Sequence, residues 1–277
     1  MHSRILILTF AVAAVGPAIA AAQTPPAAPA PAAAPAAQPA GDPKLTEVWE
    51  PVPKVVTPAP APATPTPPPS DAIVLFDGKD LNEWVSVKDQ SPAGWLVQDG
   101  VIVVNKKAGN IETKRRFHDY QLHIEWREPV DITGSGQLRG NSGVFLASTG
   151  KGDAGYELQI MDSYNNKTYV NGQAGSIYKQ GAPLANAMRK DGEWQAYDVI
   201  WTAPRFNADG SLKSPAYVTA FHNGVLVQNH FELIGETVYV GQPTYAGKAY
   251  DRAPIKLQAH GDPSPPISFR NIWVREF

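Results

Sequence analysis

The sequence predicts an all-β sandwich or jelly roll, on three observations. Short segments of alternating apolar and polar residues recur from residue 71 to residue 277. Two turn pairs, Asp99-Gly100 and Asn223-Gly224, have the chemistry of tight hairpins, because both positions tolerate a left-handed backbone. No window longer than about ten residues repeats its apolar side chains at helical period.

Taken in chain order, Met1 to Ala22 reads as a secretory signal peptide. Arg4 gives a basic start, Ile5 to Val15 an apolar stretch, and Ala18, Ala20 and Ala22 small residues suited to cleavage. The expected location is the periplasm or outside the cell, with no membrane span left after cleavage. The chain has no cysteine, which excludes disulfides, thiolate metal sites, a Cys nucleophile and a lipid-bearing Cys. Residues 23–70 change composition: 16 of the 27 prolines lie between Gln23 and Pro69, among alanine and threonine. Proline holds φ and lacks an N–H, so neither a helix nor a central strand can cross this stretch. It is expected to be a disordered or polyproline-II tether, with Leu45 to Trp49 either a short docking motif or plain spacer.

Residues 71–277 are enough for one well-buried domain. Its expected strands include Ile73-Val-Leu-Phe76, the hairpin of Trp95-Leu-Val97 with Val101 to Val104, Tyr120 to Arg127, Gly143 to Leu146 and Tyr156 to Ile160. Tyr197 to Trp201, the pair Tyr217 to Phe221 and Val225 to Gln228, Ile255 to Gln258 and Ile272 to Arg275 follow. Period-two alternation turns Leu122, Ile124, Trp126, Tyr156, Leu158 and Ile160 inward. It turns His123, Glu125, Arg127, Glu157 and Gln159 outward. If these strands and Asn141 to Leu146 form a meander, Glu125, Arg127, Asn141, Glu157 and Gln159 share one polar strip. The formal net charge of −2 gives no basic surplus for nucleic acid, and Lys114-Arg115-Arg116 reads as a solvated turn.

Several stretches, in order, resemble the 3-keto-disaccharide hydrolase family across Asp71 to Phe277. They are Leu75-Phe-Asp-Gly-Lys-Asp-Leu-Asn-Glu-Trp84, Asn141-Ser-Gly-Val-Phe-Leu146, Gly155-Tyr-Glu-Leu-Gln-Ile-Met-Asp162, Gly175-Ser-Ile-Tyr178, Leu257-Gln-Ala-His-Gly261 and Phe269-Arg-Asn-Ile272. The resemblance implies a concanavalin A-like jelly-roll β-sandwich of two antiparallel sheets, related to the endo-1,3-1,4-β-glucanases. Those enzymes carry Glu-x-Asp-x-x-Glu on a strand. Here Glu157-Leu-Gln159-Ile-Met-Asp162 keeps the spacing but replaces the middle acid with an amide and shortens the last. A retaining glucanase needs two carboxyl groups about 5–5.5 Å apart, so ordinary glucanase chemistry is not expected.

The resemblance implies instead an exported enzyme that cleaves glycosides already oxidised at C3, by elimination and hydration across C1 and C2. Such chemistry needs a base, a group that stabilises an enolate oxygen and an acid for the leaving oxygen. The expected catalytic residues are Glu157, His260 and Asp162. Glu125, Arg127, Arg139, Asn141, Gln159, Tyr178 and Arg270 are expected to bind substrate, with Trp84, Trp95 and Trp194 as alternative stacking platforms that also suit the core. A divalent metal on Glu157, Asp162 and His260 is a further expectation that no spacing demands. The expected partner is a small carbohydrate or glycoside, and the rival reading is a non-catalytic, lectin-like module.

Overall fold

The computed structural model describes residues 41–277, so the expected signal peptide lies outside the described residues. Two antiparallel sheets form a jelly-roll sandwich. The larger orders Val225–Glu232, Tyr217–His222, Gln195–Thr202, Tyr120–Arg127, Ser268–Glu276, Val101–Val103 and Leu96–Gln98, with Ile73–Phe76 also pairing with Ser268–Glu276. The smaller orders Trp84–Ser86, Ile111–Thr113, Lys256–Leu257, Ser142–Ser148 and Gly155–Ile160.

Both expected hairpins form. Asp99 and Gly100 have φ of 51° and 75°, and Asn223 and Gly224 have φ of 54° and 81°. This left-handed pair matches the twist of the flanking strands. Between the sheets lies one continuous core. Leu122, Ile124 and Trp126 from the larger sheet meet Val144, Leu146, Tyr156, Leu158 and Ile160 from the smaller. Trp84, Trp126 and Trp201 are among its largest fully buried side chains; truncating any one to Ala would cost roughly 3–5 kcal/mol. The Tyr120 and Tyr197 hydroxyls donate to the Leu146 and Gln159 carbonyls, so two core tyrosines stitch one sheet to the other.

Two expectations are corrected. The meander of Tyr120–Arg127, Ser142–Ser148 and Gly155–Ile160 does not form. The last two strands pair, but the first belongs to the other sheet, because the loop over residues 128–141 carries the chain across the sandwich. The single polar strip therefore becomes two, on opposite outer faces.

Residues 41–70 also differ from an unstructured tether. They form an arm laid along the domain. Lys54–Val55 pairs in parallel with Ala185–Asn186. The Val170 N–H donates to the Val48 carbonyl at 2.7 Å, and Asn171 Nδ2 donates to the Thr46 carbonyl at 2.9 Å. Arg189 donates to the Ala59 carbonyl and Asn271 to the Thr66 carbonyl. Proline removes donors from this segment but leaves every carbonyl as an acceptor, and the domain supplies the donors. Among the described residues no helix is long and apolar enough to cross a membrane.

Candidate active site

The smaller sheet carries an ordered row on its outer face. Glu112 pairs with Lys256, Lys256 with Phe145, and Phe145 with Glu157. The adjacent row, Ile111, Leu257, Val144 and Leu158, points into the core. Strand alternation thus fixes both faces. On the next outward row Gln258 donates its N–H to the Gly143 carbonyl, and Gly143 pairs with Gln159.

Gly143 is necessary at that point. A Cβ there would collide with the Glu157 carboxyl, which lies over the bare strand. Glu157 is turned away from the core, yet only 4% exposed. Segments 169–179 and 237–239 build up around it. The Thr237 hydroxyl accepts the Glu157 N–H at 3.0 Å, and the Tyr178 N–H donates to the Glu157 carbonyl at 3.2 Å. Burial pushes the Glu157 carboxyl well above the usual carboxylate range. The Asp153 charge adds to this, and Lys256 offsets part of it. A carboxyl held neutral in this way is a proton donor.

Around it stands a set of amides. Gln137 Oε1 accepts from Gln159 Nε2 and from Asn141 Nδ2, while Gln137 and Gln159 both donate to the Gly172 carbonyl. These bonds fix which way each amide points. Among the described residues, Gln159 Oε1, Gln258 Oε1 and Gln173 Nε2 are buried without a hydrogen-bond partner. Buried polar atoms are normally paired, so Gln159 and Gln258 each carry an uncommitted acceptor on this face. Tyr178 shares a 2.7 Å hydroxyl contact with Tyr169, whose pKa burial pushes up to about 12.

His260 follows Gln258 by two residues. It lines a pocket of about 350 Å³ with Lys88, Asn110, Lys151 and Asp153. Its Nδ1 lies 3.0 Å from Asp262 Oδ2. Burial alone would raise the Asp262 pKa. Hydrogen bonds from His260, Ser264 and Lys106 outweigh it and hold the group at about 2, so Asp262 stays ionised. The Asp262 N–H also approaches His260 Nδ1, at 3.3 Å. In the tautomer whose Nδ1 proton points to Asp262, Nε2 is the free ring nitrogen. Buried Lys256 links this pocket to the Glu157 row. Its Nζ donates to the carbonyls of Gly150, Gly152 and Ala154, pinning the loop that carries Asp153. Asn110 donates to the Gly152 carbonyl and to Asp153, and its Oδ1 accepts the Ala259 N–H beside His260.

The remaining expected residues divide. Asn141, Gln159 and Tyr178 belong to this face. Asp162 does not act as a free acid: it is buried and ion-paired to Arg139, which also bonds Asp191 at 2.6 Å. Both Arg139 and Asp162 are therefore corrected to a structural pair. Glu125, Arg127 and Arg270 lie on the outer face of the larger sheet. There Arg270 bonds Glu125 at 2.6 Å, and both arginines stack on Trp194, at 4.1 and 4.5 Å. Alternation placed Glu125 and Arg127 outward but left the face of Arg270 open, and it could not assign the sheet. Trp84 and Trp95 are buried in the core. Among the described residues no group of three or more His, Asp or Glu side chains, Glu157, Asp162 and His260 included, is arranged to hold a metal ion. Sequence reasoning missed Asp262, Gln258, Gln137, Gln173 and Lys256. Asp262 had a visible signal, a carboxylate two residues after the candidate base.

The comparisons with known proteins bear on the fold and the family. A crystal structure of a candidate glycosyl hydrolase from Parabacteroides distasonis ATCC 8503 is 55% identical, covers 84% of this chain and 96% of its own, and superposes with a TM-score of 0.72. That share, about 233 of 277 residues, exceeds the 207 from residue 71 to the C-terminus, so the likeness reaches into the arm. Two further candidate glycosyl hydrolases from the same organism share the fold. One is 21% identical, with a TM-score of 0.51 over 75% of this chain and 94% of its own. The other is 22% identical, with a TM-score of 0.52 over 74% and 99%. No curated protein matches the chain. The sequence profile of the 3-keto-alpha-glucoside-1,2-lyase-like domain matches residues 71–275, and the chain belongs to that family.

Proposed function

We propose that this chain is an exported carbohydrate-active enzyme that cleaves 3-keto-glycosides by elimination across C1 and C2, followed by hydration. The observation that supports this reading is a buried carboxyl held above its usual range, Glu157, on the outer face of the sheet whose neighbouring strand runs on through Gln258 to a carboxylate-held imidazole, His260–Asp262. The family match supports the substrate class. Export rests on reading Met1 to Ala22 as a signal peptide.

A ketone at C3 acidifies the C2 hydrogen. His260 Nε2 takes that proton, and the C2–H electron pair forms the enolate across C2 and C3. The enolate collapses back to the C3 ketone. Its electrons form a C1–C2 double bond, and the C1–O bond breaks. Glu157 gives its proton to the departing oxygen. Water then adds across the double bond, hydroxyl to C1 and hydrogen to C2, releasing the 3-keto sugar. Gln159 and Gln258, whose amide oxygens are uncommitted within the protein, are the acceptors this reading assigns to sugar hydroxyls once the covering segments admit the substrate.

The test is direct. Incubated with a 3-keto-glucoside, the purified chain releases the aglycone, and Glu157→Gln abolishes release while retaining binding. Failure of the chain to release aglycone, beside an active relative under the same conditions, overturns the reading. The glutamine-rich face also suits a lectin, which would bind glycosides, show no turnover and leave Glu157→Gln without a catalytic defect.

A further inference from the structure

The arm precedes the family-matched region, residues 71–275, and brings a half-exposed tryptophan beside the candidate site. Trp49 is 48% exposed, an unusual place to hold a large aromatic ring still. Its position is nevertheless fixed. The neighbouring Val48 accepts from the Val170 N–H and donates to Asn171 Oδ1 at 3.0 Å, and the Trp49 ring meets Tyr169 edge-on at 6.1 Å. Tyr169 in turn contacts Tyr178, which follows Ile177 on the segment bonded to the Glu157 strand.

A second segment arrives from the other side. Lys179 Nζ donates to the Pro43 carbonyl of the arm at 2.6 Å and to the Tyr239 carbonyl at 2.9 Å. One ammonium therefore ties the arm to the loop that also carries Thr237, the acceptor of the Glu157 N–H. Tyr239 is 62% exposed, with Lys179 Nζ 4.6 Å above its ring. Three chain segments converge here, and each presents an aromatic ring with a polar edge. Such rings suit the apolar face and hydroxyl rim of a pyranose.

We infer that arm residues 43–49 complete the substrate-binding surface, with Trp49 and Tyr239 stacking on the second sugar ring of a disaccharide, the ring that leaves. This rests on the carbohydrate reading above and assigns part of the binding of the leaving ring to an arm that precedes the matched residues. The catalytic face and Tyr239 lie within the matched domain, whereas Trp49 comes from outside it.

The test uses the full chain and two substrates, a 3-keto-disaccharide and a methyl 3-keto-glucoside that lacks the second ring. Trp49→Ala raises KM for the disaccharide roughly three- to tenfold more than for the methyl glycoside. Trp49→Phe restores most of the loss, and Val52→Ala, an exposed substitution on the same arm, does not reproduce it. Saturation-transfer NMR with maltose gives a readout independent of turnover. If no ketosugar is turned over but maltose binds the wild type and not Trp49→Ala, the catalytic reading fails and the arm subsite stands. Equal disaccharide KM and equal maltose binding in wild type and Trp49→Ala overturn the inference, as does a wild type that neither turns over a ketosugar nor binds maltose.

Discussion

His260 Nδ1 lies 3.0 Å from Asp262 Oδ2, and the same carboxylate is held by Lys106 at 3.1 Å and by the Ser264 hydroxyl. The imidazole is thus oriented by an anion that is itself anchored. Replacing Asp262 with Asn keeps the shape but removes the charge beside Nδ1. We predict a fall in kcat of about a hundredfold with little change in KM, read by steady-state kinetics beside a thermal melt that shows the fold intact.

Gly143→Ala tests the packing of the Glu157 carboxyl. The added methyl must displace that group or the strand beneath it. The expected cost is about 1–3 kcal/mol of stability together with a loss of activity. A variant as stable and active as the wild type would show that the carboxyl does not need the bare strand.

Asp162 and Arg139 separate structure from chemistry. Arg139→Ala leaves Asp162 buried beside Glu128, whose carboxyl oxygens already lack partners among the described residues. A destabilisation of about 3 kcal/mol is expected by denaturant unfolding. Asp162→Asn should likewise lower the melting temperature while sparing kcat, the reverse of Glu157→Gln.

The larger sheet carries a pH-dependent element. Burial alone would lower the His123 pKa from 6.5. Its hydrogen bonds to Asp198, at 2.7 Å, and to Glu125 outweigh that and raise it to about 9. A raised folded-state pKa adds stability that is fully present below about 6.5 and is lost as pH rises through about 9. Melting temperature should therefore fall between those values in the wild type, and the fall should flatten in His123→Gln. An unchanged slope would remove His123 as its source.

Sequence and structure agree where the signal is local. The Asp99-Gly100 and Asn223-Gly224 hairpins were legible because two adjacent left-handed residues are chemically specified. The outward turn of Glu157 and of Glu125 was legible from alternation. Their separation onto opposite faces was not, because sheet membership depends on the 128–141 crossing rather than on either strand. The pairing of Arg139 with Asp162 was hidden for the same reason: it joins residues 23 apart through a fold. The arm was misjudged because composition reports the missing N–H groups of proline and not the carbonyls that Lys179, Asn171 and Arg189 capture.

The most direct measurement follows the hydrogen at C2. A 3-keto-glycoside turned over in D₂O, sampled before uncatalysed exchange, should yield a 3-keto sugar carrying a solvent deuteron at C2 by NMR, and His260→Ala should give neither product nor label. Product that retains its original C2 hydrogen would mean direct hydrolysis at C1, and would contradict the role of His260 as the base.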